Sequence, residues 1–184
     1  MKITIATKGD VQDIMKLIGF CIKDLKNQGI YQWNDHYPTL DHIKESIQIQ
    51  SLYILKNKDP SNTLCVFGAP KIYDFRACMG IISIGEQQPE GYEEINWSNK
   101  TGKVLVISKL AVNPKCQGHG IGQKLMDFAE NYAIEKEYNS IRLDAYSDNP
   151  RALKFYRKRN YKKVGEQYFP RRDLPFYCFE KLIN

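Results

Sequence analysis

The sequence predicts an α+β fold, a mixed central β-sheet of about six to seven strands flanked by about four helices. Three features predict it. Short apolar stretches, alternating or continuous, recur along the 184 residues as strands do. Between them lie stretches whose apolar residues return every three or four positions, as one face of a helix requires. Their order, β-α-α-β-β-β-α-β-α-β-β, mixes hairpins with crossovers and so argues against a purely parallel sheet.

Each element has its own justification. Lys2–Ala6 (KITIA) alternates as a short strand. Asp10 is expected to cap a helix carrying Val11, Ile14, Met15, Ile18, Ile22 and Leu25 on one face, with Gly29 ending it. The connector IYQWNDHYP leads to a second helix from about Thr39 to Gln50, and Ser51–Lys56 (SLYILK) reads as a strand. The region Asn57–Cys78 is expected to be an insertion in a single domain of 184 residues, with KDPSN as a turn and TLCVFGA as an extra strand. Met79–Gly85 is a clearer strand, followed by a long polar loop, QQPEGYEEINWSNKTGK. Val104–Val112 (VLVISKLAV) is apolar enough for a central strand buried on both faces.

Ile121, Leu125, Phe128 and Tyr132 then mark one face of a helix reaching roughly Lys136, and SIRLDAY alternates as a strand. Asn149 caps a short helix with Pro150 in its first position, where a missing N–H is harmless. YKKVGEQYF and FYCFEKLI supply two final strands.

Composition narrows the function classes. Apolar residues make up 42% and charged residues 26%, the balance of a globular chain. No stretch approaches the roughly 20 apolar residues of a membrane span, and the start has no apolar segment of signal-peptide type, so a cytoplasmic protein is expected. The cysteines are scattered without a CxxC or a metal-type pairing with His36, His42 or His119, so reduced thiols and no metal are expected. Lysine and arginine exceed aspartate and glutamate 27 to 21, a formal net charge of +6 that favours an anionic partner.

The stretch NPKCQGHGIGQKLM (113–126) joins a strand to a helix, where free amides and the helix dipole suit an anion. A GxGxxG loop from Gly118 fails at Gln123, and so does GxxxxGK[ST]. The spacing Q/R-x-x-G-x-G/A fits, as Gln117, Gly120 and Gly122. With ISKLAVNP before it and IRLDAYSDNPRALKFYRKRNYKKVGE after it, the chain resembles the GCN5-related N-acetyltransferase (GNAT) family. The resemblance covers nearly the whole chain and is best from Val104 to Glu166.

That resemblance implies acetyl-CoA lying where two neighbouring parallel strands splay apart. It implies Leu110, Ala111 and Val112 along the pantetheine arm, and backbone amides of Gln117, Gly118, His119, Gly120, Ile121 and Gly122 at the pyrophosphate. Asn149, Ala152, Phe155 and Tyr156 match the motif on the following helix, and Tyr156 matches the family's usual acid. The first two helices and their connector would cover an amine acceptor, with Tyr31, Trp33 and Asp35 as candidate contacts and Trp33 and Tyr37 alternatively packing the connector to the core.

The implied chemistry is direct attack of a neutral amine on the thioester in a ternary complex, with no acetyl-cysteine formed at Cys116. A tyrosine, pKa about 10, stays protonated at neutral pH and can meet a thiolate of about 8.5. Family members often carry a carboxylate on the strand before the loop, where this chain has Ser108 and Lys109. Asp144, Glu86, Asp35, Tyr146 or an ordered-water relay are the candidate bases, and Asp144 also reads as an ion-paired sheet residue beside Arg142. Two other functions stay open: an acyl-CoA sensor without turnover, and nucleic-acid binding through Arg157–Lys163 (RKRNYKK), the less favoured of the two. A homodimer is also left open.

Overall fold

The computed structural model describes residues 1–56, 78–170 and 172–183. The expected insertion, with its turn and extra strand, lies outside them up to Cys78. The described elements are β1 (Lys2–Ile5), α1 (Val11–Asn27), α2 (Leu40–Gln48), β2 (Leu52–Lys56), β3 (Cys78–Gly85), β4 (Val104–Val112), α3 (Ile121–Glu135), β5 (Ser140–Tyr146), α4 (Pro150–Lys158), β6 (Lys162–Gln167) and β7 (Phe176–Leu182). The order is the one expected, and the strands form one mixed sheet in the order β1-β2-β3-β4-β5-β7-β6. The chain divides into two compact units, Met1–Ser83 with Lys109–Phe128, and Ile84–Ser108 with Ala129–Asn184.

In the first unit β1 and β3 flank β2, both antiparallel to it. The periodic face of α1 is partly the one expected: Ile14 and Ile18 are buried, and Met15 and Ile22 pack at the margin. Leu17 and Cys21, not expected there, are buried in place of Val11 and Leu25. The face packs against Ile43 of α2 and Leu52, Ile54, Ile81 and Ala111 of the strands. Asp10 occupies the N-cap position of α1 as expected, but its side chain makes no capping bond. Its Oδ2 accepts the Thr7 amide and hydroxyl at 2.8 Å each, closing a short turn that precedes α1, and its Oδ1 meets Lys56 Nζ. A carboxylate with a cation and two donors behind it has no reason to turn toward the helix. The far end of α1 follows expectation: Gly29 sits at φ 75°, with the Ile30 amide bonded to Leu25 O and the Gly29 amide to Lys26 O.

Gly80 of β3 fixes the seat of α3. A Cβ there would lie 2.8 Å from Ala111 O, 2.9 Å from Leu125 Cδ1 and 3.2 Å from Ile121 Cγ2, so only a bare backbone admits the first turns of α3 this close. The buried stripe of α3 consists of Ile121, Leu125, Met126, Ala129 and Ala133. Phe128 and Tyr132, expected on that stripe, are half-buried at its margins, Phe128 tilted against Tyr53 and Tyr132 stacked on Tyr138. Small residues hold the middle because close packing leaves no room for rings.

In the second unit β4 runs parallel to β5, while β7 is antiparallel to both β5 and β6. The stretch read as a polar loop has a core of its own. Tyr92 and Trp97 are buried with Val106 and Cys178, and Ile95, Val104 and Val164 pack against them. Beside this cluster Arg142 is buried, its Nε 3.1 Å from Glu180 Oε1, one terminal nitrogen 2.6 Å from Gln88 Oε1 and the other 2.6 Å from Asn99 O. The guanidinium lies 4.3 Å from the Trp97 ring. The second Glu180 oxygen accepts the Ser98 amide at 2.6 Å, so the buried pair is satisfied by the loop that covers it.

Candidate active site

β4 leaves its parallel ladder early. Pairing with β5 runs from Val104–Ser140 to Ile107–Leu143, while β4 continues to Val112 and β5 to Tyr146. Along the continuation Ser108 is exposed, Ala111 buried, and Leu110 and Val112 half-buried. Lys109 is buried, with Nζ donating to Ser46 Oγ at 3.1 Å, and burial lowers the pKa of its ammonium. Neither Ser108 nor Lys109 offers the carboxylate that the family resemblance associates with this strand, and the charge of Glu45 acts on Lys109 from nearby.

The loop after β4 is built by its own hydrogen bonds. Asn113 Oδ1 accepts the Lys115 amide at 3.1 Å across a single turn, the Asn113 amide donates to Met79 O at 2.9 Å, and Gln117 Nε2 reaches back to Val112 O at 3.4 Å. Gly118 and Gly120 then adopt φ 79° and 75°, the left-handed region that side chains disfavour. A Cβ on Gly118 would meet nothing within 4 Å, and one on Gly120 only Gln123 Oε1 at 3.7 Å. The backbone conformation therefore requires the glycines, and the space beside them stays open. The Lys124 amide bonds to Gly120 O at 3.0 Å, so Ile121, Gly122 and Gln123 stand in the first turn, where amides lack intrahelical acceptors. They sit at the positive end of the helix dipole. His119 is exposed, with Nδ1 2.8 Å from Gln117 O. Cys116 is buried, and burial pushes its thiol pKa up.

In the second unit, Asn149 caps α4 as expected, its Oδ1 accepting the Ala152 amide at 3.1 Å. The cap fixes the helix that carries Ala152 and Phe155, both half-buried, and Tyr156, which is 7% exposed. The Tyr156 ring packs against Phe155, Tyr161 and Phe179 at centroid distances of 5.5, 6.0 and 6.0 Å. Burial first, and then the nearby Asp144 charge, raise the pKa of its phenol.

Asp144 is half-buried on β5, and Tyr92 donates its hydroxyl to Oδ2 at 2.8 Å. Burial raises the carboxyl pKa to about 6, although the Tyr92 hydrogen bond acts in the opposite direction. The ion pair expected between Asp144 and Arg142 is not formed, because Arg142 is taken by Glu180 on β7. The other candidate bases are differently placed. Glu86 is exposed and accepts the Tyr138 hydroxyl at 2.8 Å, Asp35 is exposed, and Tyr146 is buried with its ring 5.2 Å from Phe176. In the sequence Tyr92 stands out only as half of an aromatic pair, with Trp97, inside a polar stretch.

On the connector, Trp33 is buried in the core beside α1 and α2, while Tyr31 and Asp35 are exposed. Tyr37 packs against the same core and meets the His42 ring edge-on at 5.1 Å. The basic run Arg157–Lys163 spends part of its charge locally: Arg159 pairs with Glu130 at 3.0 Å, and Lys163 with Glu166 at 2.6 Å. Among the described residues no helix is long and apolar enough to cross a membrane.

The sequence profile of the Acetyltransferase (GNAT) family matches residues 27–161. The chain belongs to this family. Among GNAT relatives, the Uncharacterized N-acetyltransferase YesJ of Bacillus subtilis (strain 168) is 24% identical over 178 residues, covering 95% of this chain and 86% of its own. A GNAT family acetyltransferase from Streptococcus agalactiae 2603 superposes with a TM-score of 0.77 at 16% identity, covering 100% of this chain and 95% of its own. The NatC complex bound to Gag peptide and CoA contains a chain similar to this one, with a TM-score of 0.66 at 18% identity and full coverage of both chains. At such identities the likeness of the solved structures is one of GNAT fold.

Proposed function

We propose that this GNAT protein is an N-acetyltransferase that moves the acetyl group of acetyl-CoA to a primary amine by direct attack. The observation that carries the reading is the Gln117–Gly122 loop, with two left-handed glycines, open space at both Cβ positions and a helix start directly behind it. That arrangement fits a pyrophosphate, which needs close backbone approach and several N–H donors. The amides of Gln117, Gly118, His119, Gly120, Ile121 and Gly122 hold the pyrophosphate, and the β4 backbone at Leu110, Ala111 and Val112 lies along the pantetheine arm. The early end of the β4–β5 ladder supports this, because β4 then offers backbone groups for a strand-like partner. In the second unit, Asn149, Ala152 and Phe155 are the residues that match the family's donor-binding motif.

Acetyl-CoA supplies the activated thioester carbonyl, and the chain supplies position and protons. Tyr156, which burial keeps protonated at neutral pH, is the residue that matches the family's usual acid for the departing thiolate, although the same burial makes it a weaker acid than a free tyrosine. Cys116 is kept as a thiol by burial, which disfavours an acetyl-cysteine route and supports direct transfer. Tyr31 and Asp35, exposed on the connector, are the acceptor-side contacts, with Trp33 holding the connector in place.

The test is an assay for free CoA thiol over a panel of primary amines: a polyamine, free amino acids, a peptide N-terminus and a peptide lysine. At least one amine should release thiol well above the no-acceptor rate and appear as its acetyl amide by mass spectrometry. Release that never exceeds the no-acceptor rate, despite measured acetyl-CoA binding, would turn the reading into that of a sensor.

A further inference from the structure

We infer that Asp144, oriented by Tyr92, is the catalytic base that takes the proton from the acceptor amine. The inference rests on the acetyltransferase reading above and supplies the group that the β4 sequence lacks. Its first support is the geometry of the carboxylate. Tyr92 donates to Oδ2 at 2.8 Å, while Oδ1 has no hydrogen-bond partner among the described residues. Oδ1 is not closed off from solvent, as the oxygen of a base must not be. The cation two residues away on the same strand, Arg142, is held instead by Glu180, Gln88 and Asn99 O.

A second support is position. Asp144 directly follows Leu143, the last β5 residue in the parallel ladder with β4. It lies close enough to the proposed acid for its charge to act on the Tyr156 phenol. A third is the preparation of Tyr92 as a donor. Its ring lies 5.0 Å from that of Trp97, and its carbonyl accepts Trp97 Nε1 at 2.6 Å. Burial and then the Asp144 charge hold its phenol well above the ordinary range, so it donates at every working pH.

The groups that act on Asp144 can be named from each element around it. Tyr92 faces it from the loop before β4, Tyr156 acts from α4, and Cys178 stands opposite it on β7. Cys178 is held as a neutral thiol, raised to about 12 by burial first and then by Asp144. Arg142, two residues back on β5, is ion-paired with Glu180. A carboxylate whose pKa burial raises to about 6 is ionised at pH 7 yet basic enough to accept a proton in the transition state.

The step balances as follows. The amine lone pair forms the C–N bond while one N–H proton passes to the Asp144 carboxylate. The C–S bond breaks, its electron pair stays on sulfur, and sulfur takes the Tyr156 phenolic proton. Exchange with water returns Asp144 to the carboxylate and Tyr156 to the phenol.

The experiment has an arm that needs no acceptor. Carbon-13 NMR of the Asp144 carboxyl in the whole protein should show a midpoint near 6, and Tyr92→Phe should move it upward. Removing that donor removes a bond that favours the charged form. A midpoint in the ordinary aspartate range in both proteins overturns the inference. In the second arm, with an amine found by the panel, Asp144→Asn should lower kcat by about 100-fold or more while acetyl-CoA affinity stays near wild type. The acid limb of the wild-type pH–rate profile should shift to higher pH in Tyr92→Phe. Wild-type turnover in Asp144→Asn overturns the base assignment and leaves the acetyltransferase reading standing. Absence of both acetyl-CoA binding and turnover in the wild type is the separate failure of that reading.

Discussion

Tyr156 is packed as a core residue and is also the proposed acid. Its ring is packed among Phe155, Tyr161 and Phe179, so Tyr156→Phe keeps the packing and removes only the hydroxyl. A purely structural role predicts a loss of roughly 0.5–1.5 kcal/mol at most. The role of acid predicts a fall in kcat of about 100-fold or more with acetyl-CoA affinity nearly unchanged. Steady-state kinetics and calorimetric binding on both proteins separate the two. Arg142 makes the complementary case of a purely architectural charge. Arg142→Met leaves Glu180 buried without its cation, and the expected loss is about 3–5 kcal/mol, read from urea midpoints. The variant is expected to regain part of that loss when Glu180→Gln is added, because the orphaned charge goes with it.

Among the helices and strands, the least conspicuous residue is Gly80. Gly80→Ala brings a methyl group to 2.8 Å from Ala111 O, a backbone atom that cannot rotate away. Relieving that contact and those with Leu125 and Ile121 displaces β4 or the start of α3, and Gln117–Gly122 lies on the connection between the two in the chain. The expected result is a loss of about 1–3 kcal/mol together with weaker acetyl-CoA binding, measured by chemical denaturation and calorimetry on the same variant.

What could be read in advance divides along physical lines. Helix starts at Thr39 and Asn149 and the glycine loop were legible, because capping and left-handed turns depend on residues a few positions apart. The Tyr92–Asp144 bond joins residues 52 apart, and Arg142–Glu180 joins residues 38 apart. No local pattern encodes such pairs, so Asp144 was only one of several candidate bases, and Arg142 looked like its partner. Asp10 misled in the same way: a residue of cap-forming type was drawn off by Lys56, which β1–β2 pairing brings close.

For the whole molecule, the balance of 27 basic to 21 acidic residues suits an anionic cofactor but names none. Linkage gives the decisive measurement. Acetyl-CoA at about 100 times its Kd should stabilise the native state by about 2.7 kcal/mol, a rise in melting temperature of roughly 5–10 °C for a chain of this size. NAD and ATP at equal concentration should do much less. A melting curve indifferent to saturating acetyl-CoA would remove the cofactor assignment.

The loop before β4 carries a consequence for how the protein meets a protease. Its exposed lysines, Lys100 and Lys103, look like ready sites for trypsin. Yet Trp97 just ahead of them is buried, Ser98 donates its amide to the buried Glu180, and Asn99 gives its carbonyl to Arg142. An extended stretch long enough to enter a protease cleft cannot form there while those bonds hold. Cleavage then has to wait for the opening of the unit around Arg142, so its rate reports that unit's stability and not the mobility of a surface loop.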